Sequence, residues 1–180
     1  QGAELLWRDG KNKQLKPIDA LKIYALKTSP AFEAALFAGT RLAGETEKYR
    51  EPLVQFSRNL GIAFQIMNDL KDWQGDDNNK LHAGGDIVGG RPTILWALAL
   101  ESLSSEQRAE LESWIDDDRP GEVKIQRVRQ LYQVSGVFEK AEQLVEKYQQ
   151  RAEAIADEIE PDEFRRLLYY LIDTVLERPV

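Results

Sequence analysis

The sequence predicts an all-α protein, a bundle of helices. Three observations carry that prediction. Apolar residues recur at three- and four-residue spacing along nearly all of the 180 residues, the repeat of a helix with one buried face. No alternating apolar–polar run is long enough for a strand. Residues that open helices or break them stand between the periodic segments.

The elements follow in order. "PIDALKIYALK" (17–27) is the first periodic run, and "PAFEAALFAGTRLAG" (30–44) the second, with Pro30 suited to a first turn. "LVQFSRNLGIAFQIMNDLKDW" (53–73) is the third and longest of the early runs. After it comes an irregular stretch, "GDDNNKLHAGGDIVGGRP" (75–92), rich in Gly, Asn and Asp. A loop of that length in a helical domain points to function. "PTILWALALESL" (92–103) and "SSEQRAELESWI" (104–115) resume the helical repeat, the latter opened by a capping box of Ser104 and Gln107. One long pattern covers 122–159 with Gly136 as a break or kink, and "PDEFRRLLYYLIDTVLE" (161–177) closes the chain behind Pro161. There is no internal repeat.

Composition excludes several classes of function. A net charge of −7 argues against nucleic-acid binding through a general basic surface. With no cysteine there is no disulfide framework, and a reducing cytoplasm is the expected location. No apolar stretch is long and charge-free enough for a transmembrane segment. The chain opens at Gln1 without a basic-then-apolar leader, and its only methionine is Met67. It therefore reads as a piece of a longer protein or as one whose start has been removed.

The run "FQIMNDLKD" (64–72) holds the chemistry. On a helical wheel Gln65, Asn68, Asp69, Asp72 and Asp76 occupy an arc about 100° wide. The next arc, about 200° wide, is apolar except for Lys71. A helix packed on most sides, with a narrow acidic stripe facing an internal cavity, fits this pattern; a solvated stripe on a surface helix is the alternative. Carboxylates one turn apart repel unless a cation lies between them. A hard cation such as Mg²⁺ takes one or two carboxylates and completes its shell with water and phosphate oxygens. The stripe thus looks like half of a metal–phosphate clamp, and cationic side chains should supply the rest. Lys27, out of place in a small-residue apolar run, is one candidate, or else it snorkels to the surface. Lys80 and Arg91 are others, or else solvated loop charges. His82 receives no role, and Trp7, Trp73, Trp96 and Trp114 are assigned to packing.

"LGIAFQIMNDLKDWQGD" followed by "GGDIVGGRPTILWALAL" resembles the second aspartate-rich region of the trans-isoprenyl diphosphate synthases, the polyprenyl synthetase family. "LKTSPAFEAALFAGTRLAG" resembles that family's Lys-Thr segment, and the stretch from "VKIQRVRQ" to "FRRLLYYLIDTVLER" its closing helices. The opening "QG" resembles what would remain of its Gly-Gln segment. The resemblance implies an all-α isoprenoid-synthase bundle, of which this chain is the C-terminal half. It implies Mg²⁺-dependent condensation of an allylic diphosphate with isopentenyl diphosphate. It places Asp69 and Asp72 on the motif's second and third metal-binding aspartates and Asn68 on the first. Lys27, Thr28, Lys80 and Arg91 fall on diphosphate-binding positions, Arg91 replacing a lysine, and Phe64 and Gln65 on the isopentenyl side. Lys27, Asp69 and Asp72 are then the catalytic residues.

Two departures qualify the resemblance. Asn68 stands where the family has aspartate, which removes a charge from the clamp. No first aspartate-rich motif occurs; the only other acidic cluster, "DDDRP" (116–120), lacks its surroundings. Three readings follow: half of a prenyl diphosphate synthase, homodimeric when completed by its N-terminal half; a terpene cyclase, whose Asn-Asp-x-x-Ser-x-x-x-Glu motif "NDLKDWQGD" approaches; or a non-catalytic helical subunit. On the first, the isolated chain does not turn over. Product length is not legible, because the family sets it in the segment lacking here.

Overall fold

The computed structural model describes residues 15–44, 46–74, 83–91, 93–114 and 121–176. Among these there is no strand. The helices are α1 (Pro17–Lys27), α2 (Ser29–Ala43), α3 (Arg50–Gln74), α4 (Gly85–Val88), α5 (Ile94–Ser102), α6 (Ser105–Ser113), α7 (Gly121–Ser135), α8 (Val137–Asp157) and α9 (Asp162–Val175), with a 3-10 turn at Glu47–Tyr49. The chain divides into two compact units, one of residues 1–21 and 68–142, the other of 22–67 and 143–180.

In the first unit the stretch Ile94 through Leu100 of α5 is apolar and buried without exception, and only the final Glu101 and Ser102 are exposed. A helical stretch without a polar face belongs at the centre of a core. Thr93 starts it, its side chain accepting the Trp96 N–H at 3.3 Å. α7 packs against α4, α5 and α6 and contributes Val128, Leu131 and Tyr132 to the core. The rings of Trp73, Tyr132 and Phe138 form a closed cluster with centroids 5.0 to 6.0 Å apart.

In the second unit α3 buries Leu53, Phe56, Leu60, Ile62, Ala63, Ile66 and Met67. Gly61 brings α2 close: a Cβ there would lie 2.7 Å from Ser29 Oγ and 3.0 Å from Ser29 Cα. α8 supplies Val145, Ala152 and Ala156, and α9 supplies Leu168 and Ile172, each at helical spacing. Tyr49 ties the bottom of α3 to the loop before α9 by donating its phenol hydrogen to the Glu160 carbonyl and packing edge-on against Phe164.

The sequence reading and the structure agree on the long elements. Gly136, at φ +64°, separates α7 from α8 rather than kinking one helix. The Ser104–Gln107 capping box forms with both of its hydrogen bonds. The structure differs inside 75–92, where residues 85–88 form the short helix α4. Gly-rich composition concealed it, because a single turn held by tertiary contacts needs no periodic pattern of its own.

Candidate active site

The last turns of α3 carry the acidic stripe. Asp69 is only 4% exposed, and Asn68 and Asp72 are half-buried. On the other faces Ile62, Ala63, Ile66, Met67 and Trp73 are buried, whereas Lys71 points to solvent. A solvated stripe on a surface helix does not accommodate a carboxylate as deep as Asp69.

Residues 83–91 fold back onto this turn. The Gly84 N–H bonds to the Asp72 carbonyl at 2.9 Å, and the Asp86 N–H donates to Asp72 Oδ2 at 3.2 Å. Two glycines permit the approach. Gly84 takes φ +80°, and a Cβ on it would meet Ile125 at 3.0 Å; a Cβ on Gly85 would meet Asp72 Oδ1 at 3.2 Å. Burial pushes the Asp72 carboxyl above its ordinary value, the Asp86 N–H opposes that rise, and the Asp86 charge adds to it. Arg91 lowers it only weakly, being engaged with Asp86 Oδ1 at 3.2 Å and largely exposed.

The second unit holds the other nominated residues that the structure describes. The Thr28 hydroxyl donates to Gln65 Oε1 at 3.2 Å, and Phe64 meets Phe32 edge-on with centroids 6.1 Å apart. Lys27 ends α1 with an exposed side chain, where its charge complements the helix C-terminus. Lys80, Asp76, His82, Trp7, the opening "QG" and the "DDDRP" cluster lie outside the described residues. A cavity of about 590 Å³ in this unit is lined by residues including Leu36, Thr40, Tyr49, Phe164 and Leu167, and by none of the nominated site residues.

Sequence reasoning missed three residues around the acidic turn. Asp86 is the partner that joins Asp72 to Arg91. Arg129 donates to the Trp73 carbonyl at 2.6 Å and lies over the Trp73 ring at 5.6 Å. It thus closes the C-terminal end of α3 by satisfying a carbonyl that the helix leaves open. Tyr132 is wholly buried beside Trp73. Burial holds its phenol well above the usual range, the Asp69 charge adds to that, and the Thr93 hydroxyl relieves part of it. All three act over long sequence separations, and no local spacing marks them.

Residues 1–134 match the polyprenyl synthetase family. The chain belongs to that family. It is 31% identical over 159 residues to the all-trans-nonaprenyl-diphosphate synthase (geranyl-diphosphate specific) of Rhodobacter capsulatus, covering 88% of this chain and 48% of that one. It is 26% identical over 159 residues to the octaprenyl diphosphate synthase of Escherichia coli, covering 88% and 49%. The crystal structure of a geranylgeranyl pyrophosphate synthase from Corynebacterium glutamicum, complexed with isoprenyl diphosphate and magnesium, superimposes with a TM-score of 0.84 at 26% identity over 98% of this chain and 50% of that one. The fold is that of the helical isoprenyl synthases. The chain spans about half the length of the curated relatives it matches. No described helix is long and apolar enough to cross a membrane.

The donors of the polyprenyl synthetase acidic turn suit a hard divalent cation. They are carboxylate and amide oxygens without sulfur or imidazole, the set that favours Mg²⁺ over softer metals. Among the described residues no three His, Cys, Asp or Glu side chains converge as a complete metal cluster.

Proposed function

We propose that this chain carries half of the active site of a trans-prenyltransferase, which joins an allylic diphosphate to isopentenyl diphosphate and releases pyrophosphate. The buried Asp69 carboxylate beside half-buried Asp72, on a Phe-Gln-x-x-Asn-Asp helix in a polyprenyl synthetase fold, carries the reading. Asp69, Asp72 and Asn68 would hold Mg²⁺. When bound, the metal supplies positive charge to the leaving diphosphate.

The chain's own residues divide the remaining work. Lys27, Thr28, Lys80 and Arg91 bind and orient the allylic diphosphate and balance the charge that grows as its carbon–oxygen bond breaks. Phe64 and Gln65 face the isopentenyl partner, and the apolar walls exclude water from the allylic cation. The isopentenyl double bond attacks that cation. A new carbon–carbon bond forms, and the proton lost from the adjacent carbon passes to the departing pyrophosphate. No side chain serves as a nucleophile. Asn68, an uncharged donor, leaves this half one charge short of the usual aspartate motif.

The other parts of the reading concern the complete enzyme. It would be a cytoplasmic homodimer whose N-terminal half brings the first aspartate-rich motif and the opposing wall. The test is an assay with geranyl and isopentenyl diphosphates and Mg²⁺. The chain alone should yield no elongated product, and supplying the N-terminal half should restore it. Turnover by the purified chain alone would refute the half-site, and a cyclic hydrocarbon from the completed enzyme would show a cyclase instead.

A further inference from the structure

We propose that Asp86 is a positioning residue for Arg91, holding its guanidinium beside α4 in the orientation that receives a diphosphate at the acidic turn of α3. The inference rests on the reading of Asp69, Asp72 and Arg91 as a site for metal and diphosphate. An unbroken run of contacts joins the acidic turn to the arginine. The Asp86 N–H donates to Asp72 Oδ2 at 3.2 Å. The Asp86 carbonyl accepts the Arg91 N–H at 2.9 Å, and Asp86 Oδ1 accepts from Arg91 Nη1 at 3.2 Å. One residue is thus bonded to a carboxylate of the metal turn and, by both main chain and side chain, to the arginine.

The arginine side chain is directed as well as held. A Cβ on Gly89 would lie 3.6 Å from Arg91 Nε and 3.8 Å from its Cγ, so the chain runs back along Gly89 toward Asp86. The Asp86 side chain is only 18% exposed, whereas that of Arg91 is 68% exposed. A largely covered acceptor therefore anchors a side chain that solvent would otherwise leave free to sweep. Fixing its rotamers before the ligand arrives spares that entropy at binding. The bond to Oδ1 takes one donor of the planar guanidinium fork, whose further N–H groups suit phosphate oxygens. Lysine, a rotating point charge, offers no such fixed fork. A carboxylate beside an anion site is unfavourable by itself. Orienting the arginine gives Asp86 a use that offsets this cost.

The test uses the protein at its natural length, with inorganic pyrophosphate titrated by calorimetry at a fixed Mg²⁺ concentration. Arg91→Gln should weaken binding about 10-fold or more. Asp86→Ala retains the main-chain donor and acceptor and should weaken binding about three- to fivefold, the upper scale for a part-exposed ion pair. In an Arg91→Gln background the same change should cost less than about twofold, because its effect passes through the arginine. Asp86→Asn, which keeps an acceptor oxygen, should recover part of the loss. An equal loss from Asp86→Ala in both backgrounds would overturn the inference, since the shape of α4 would then explain it. Unchanged binding in Asp86→Ala would also overturn it, and so would tighter binding, which would mark Asp86 as a competitor for the arginine. Parental affinity in Arg91→Gln, with Asp69→Asn deficient, would remove Arg91 and this inference while the acidic turn stands. Unchanged binding in Asp69→Asn would overturn the half-site reading itself.

Discussion

The carboxylates at the end of α3 and those on the outer helices occupy opposite electrostatic situations. Glu110 on α6 receives two hydrogen bonds from the Arg127 guanidinium, at 2.5 and 2.9 Å, and Asp162 at the start of α9 is bracketed by Arg165 and Arg166. Both carboxyls are held below their ordinary values chiefly by those arginines. Asp72 is half-buried, pushed above its ordinary value by burial, and faces a second carboxylate in Asp86. Arginine completes the surface groups. At Asp72 burial and the Asp86 charge work against ionisation, a situation that a bound cation would relieve.

The largest effect expected from breaking this comparison is at Asp69. Asp69→Ala in the completed enzyme should lower turnover by at least about 10²-fold, the usual scale for losing one element of preorganised electrostatics. Steady-state product formation measures it, and a loss under about threefold would remove Asp69 from the site. Next is the fold-back that brings Asp86 to Asp72. Gly84→Ala puts a Cβ at φ +80° against Ile125 and should cost about 1 to 3 kcal/mol by denaturant titration. Ile125→Ala in the same chain should recover the steric part only.

Asp72 and Glu110 should then respond to pH with opposite signs. The folded state binds the Asp72 proton more tightly than the unfolded chain does. Its ionisation therefore costs stability as pH rises above the ordinary value of 3.8. Without metal, Asp72→Asn should raise the melting midpoint at neutral pH while weakening Mg²⁺ binding. The smallest effect belongs to Glu110, whose lowered value means that its contribution is full above about 4.5 and fades as pH falls through its folded value. Glu110→Gln should cost under about 1 kcal/mol at neutral pH, since the pair is part-exposed. Acid titration of the melting midpoint distinguishes the two variants.

What could be read in the sequence follows the same division between local and distant. α1 coincides with its predicted range, because Pro17 opens the run and the apolar spacing persists to Lys27. The acidic stripe was legible because Asn68, Asp69 and Asp72 share one helix face in any helical structure. The Asp69–Asp72 turn is indeed the most buried acidic position in the described chain. Asp86, Arg129 and Tyr132 were not legible. They reach the stripe across 14, 56 and 59 residues, counted from Asp72 or Trp73, and a tertiary contact of that span has no period. Arg91 shows the intermediate case: its charge was visible, but its engagement with Asp86 depends on how α4 folds back.

The most direct measurement is a crystal structure of the natural-length protein grown with Mn²⁺, as an anomalous stand-in for Mg²⁺, and inorganic pyrophosphate. The account predicts anomalous peaks within bonding distance of the Asp69 and Asp72 carboxylates, bridged to pyrophosphate oxygens, with Glu110 and Asp162 still paired to their arginines. Pyrophosphate bound with no metal at α3, or metal found only on the surface carboxylates, would contradict it.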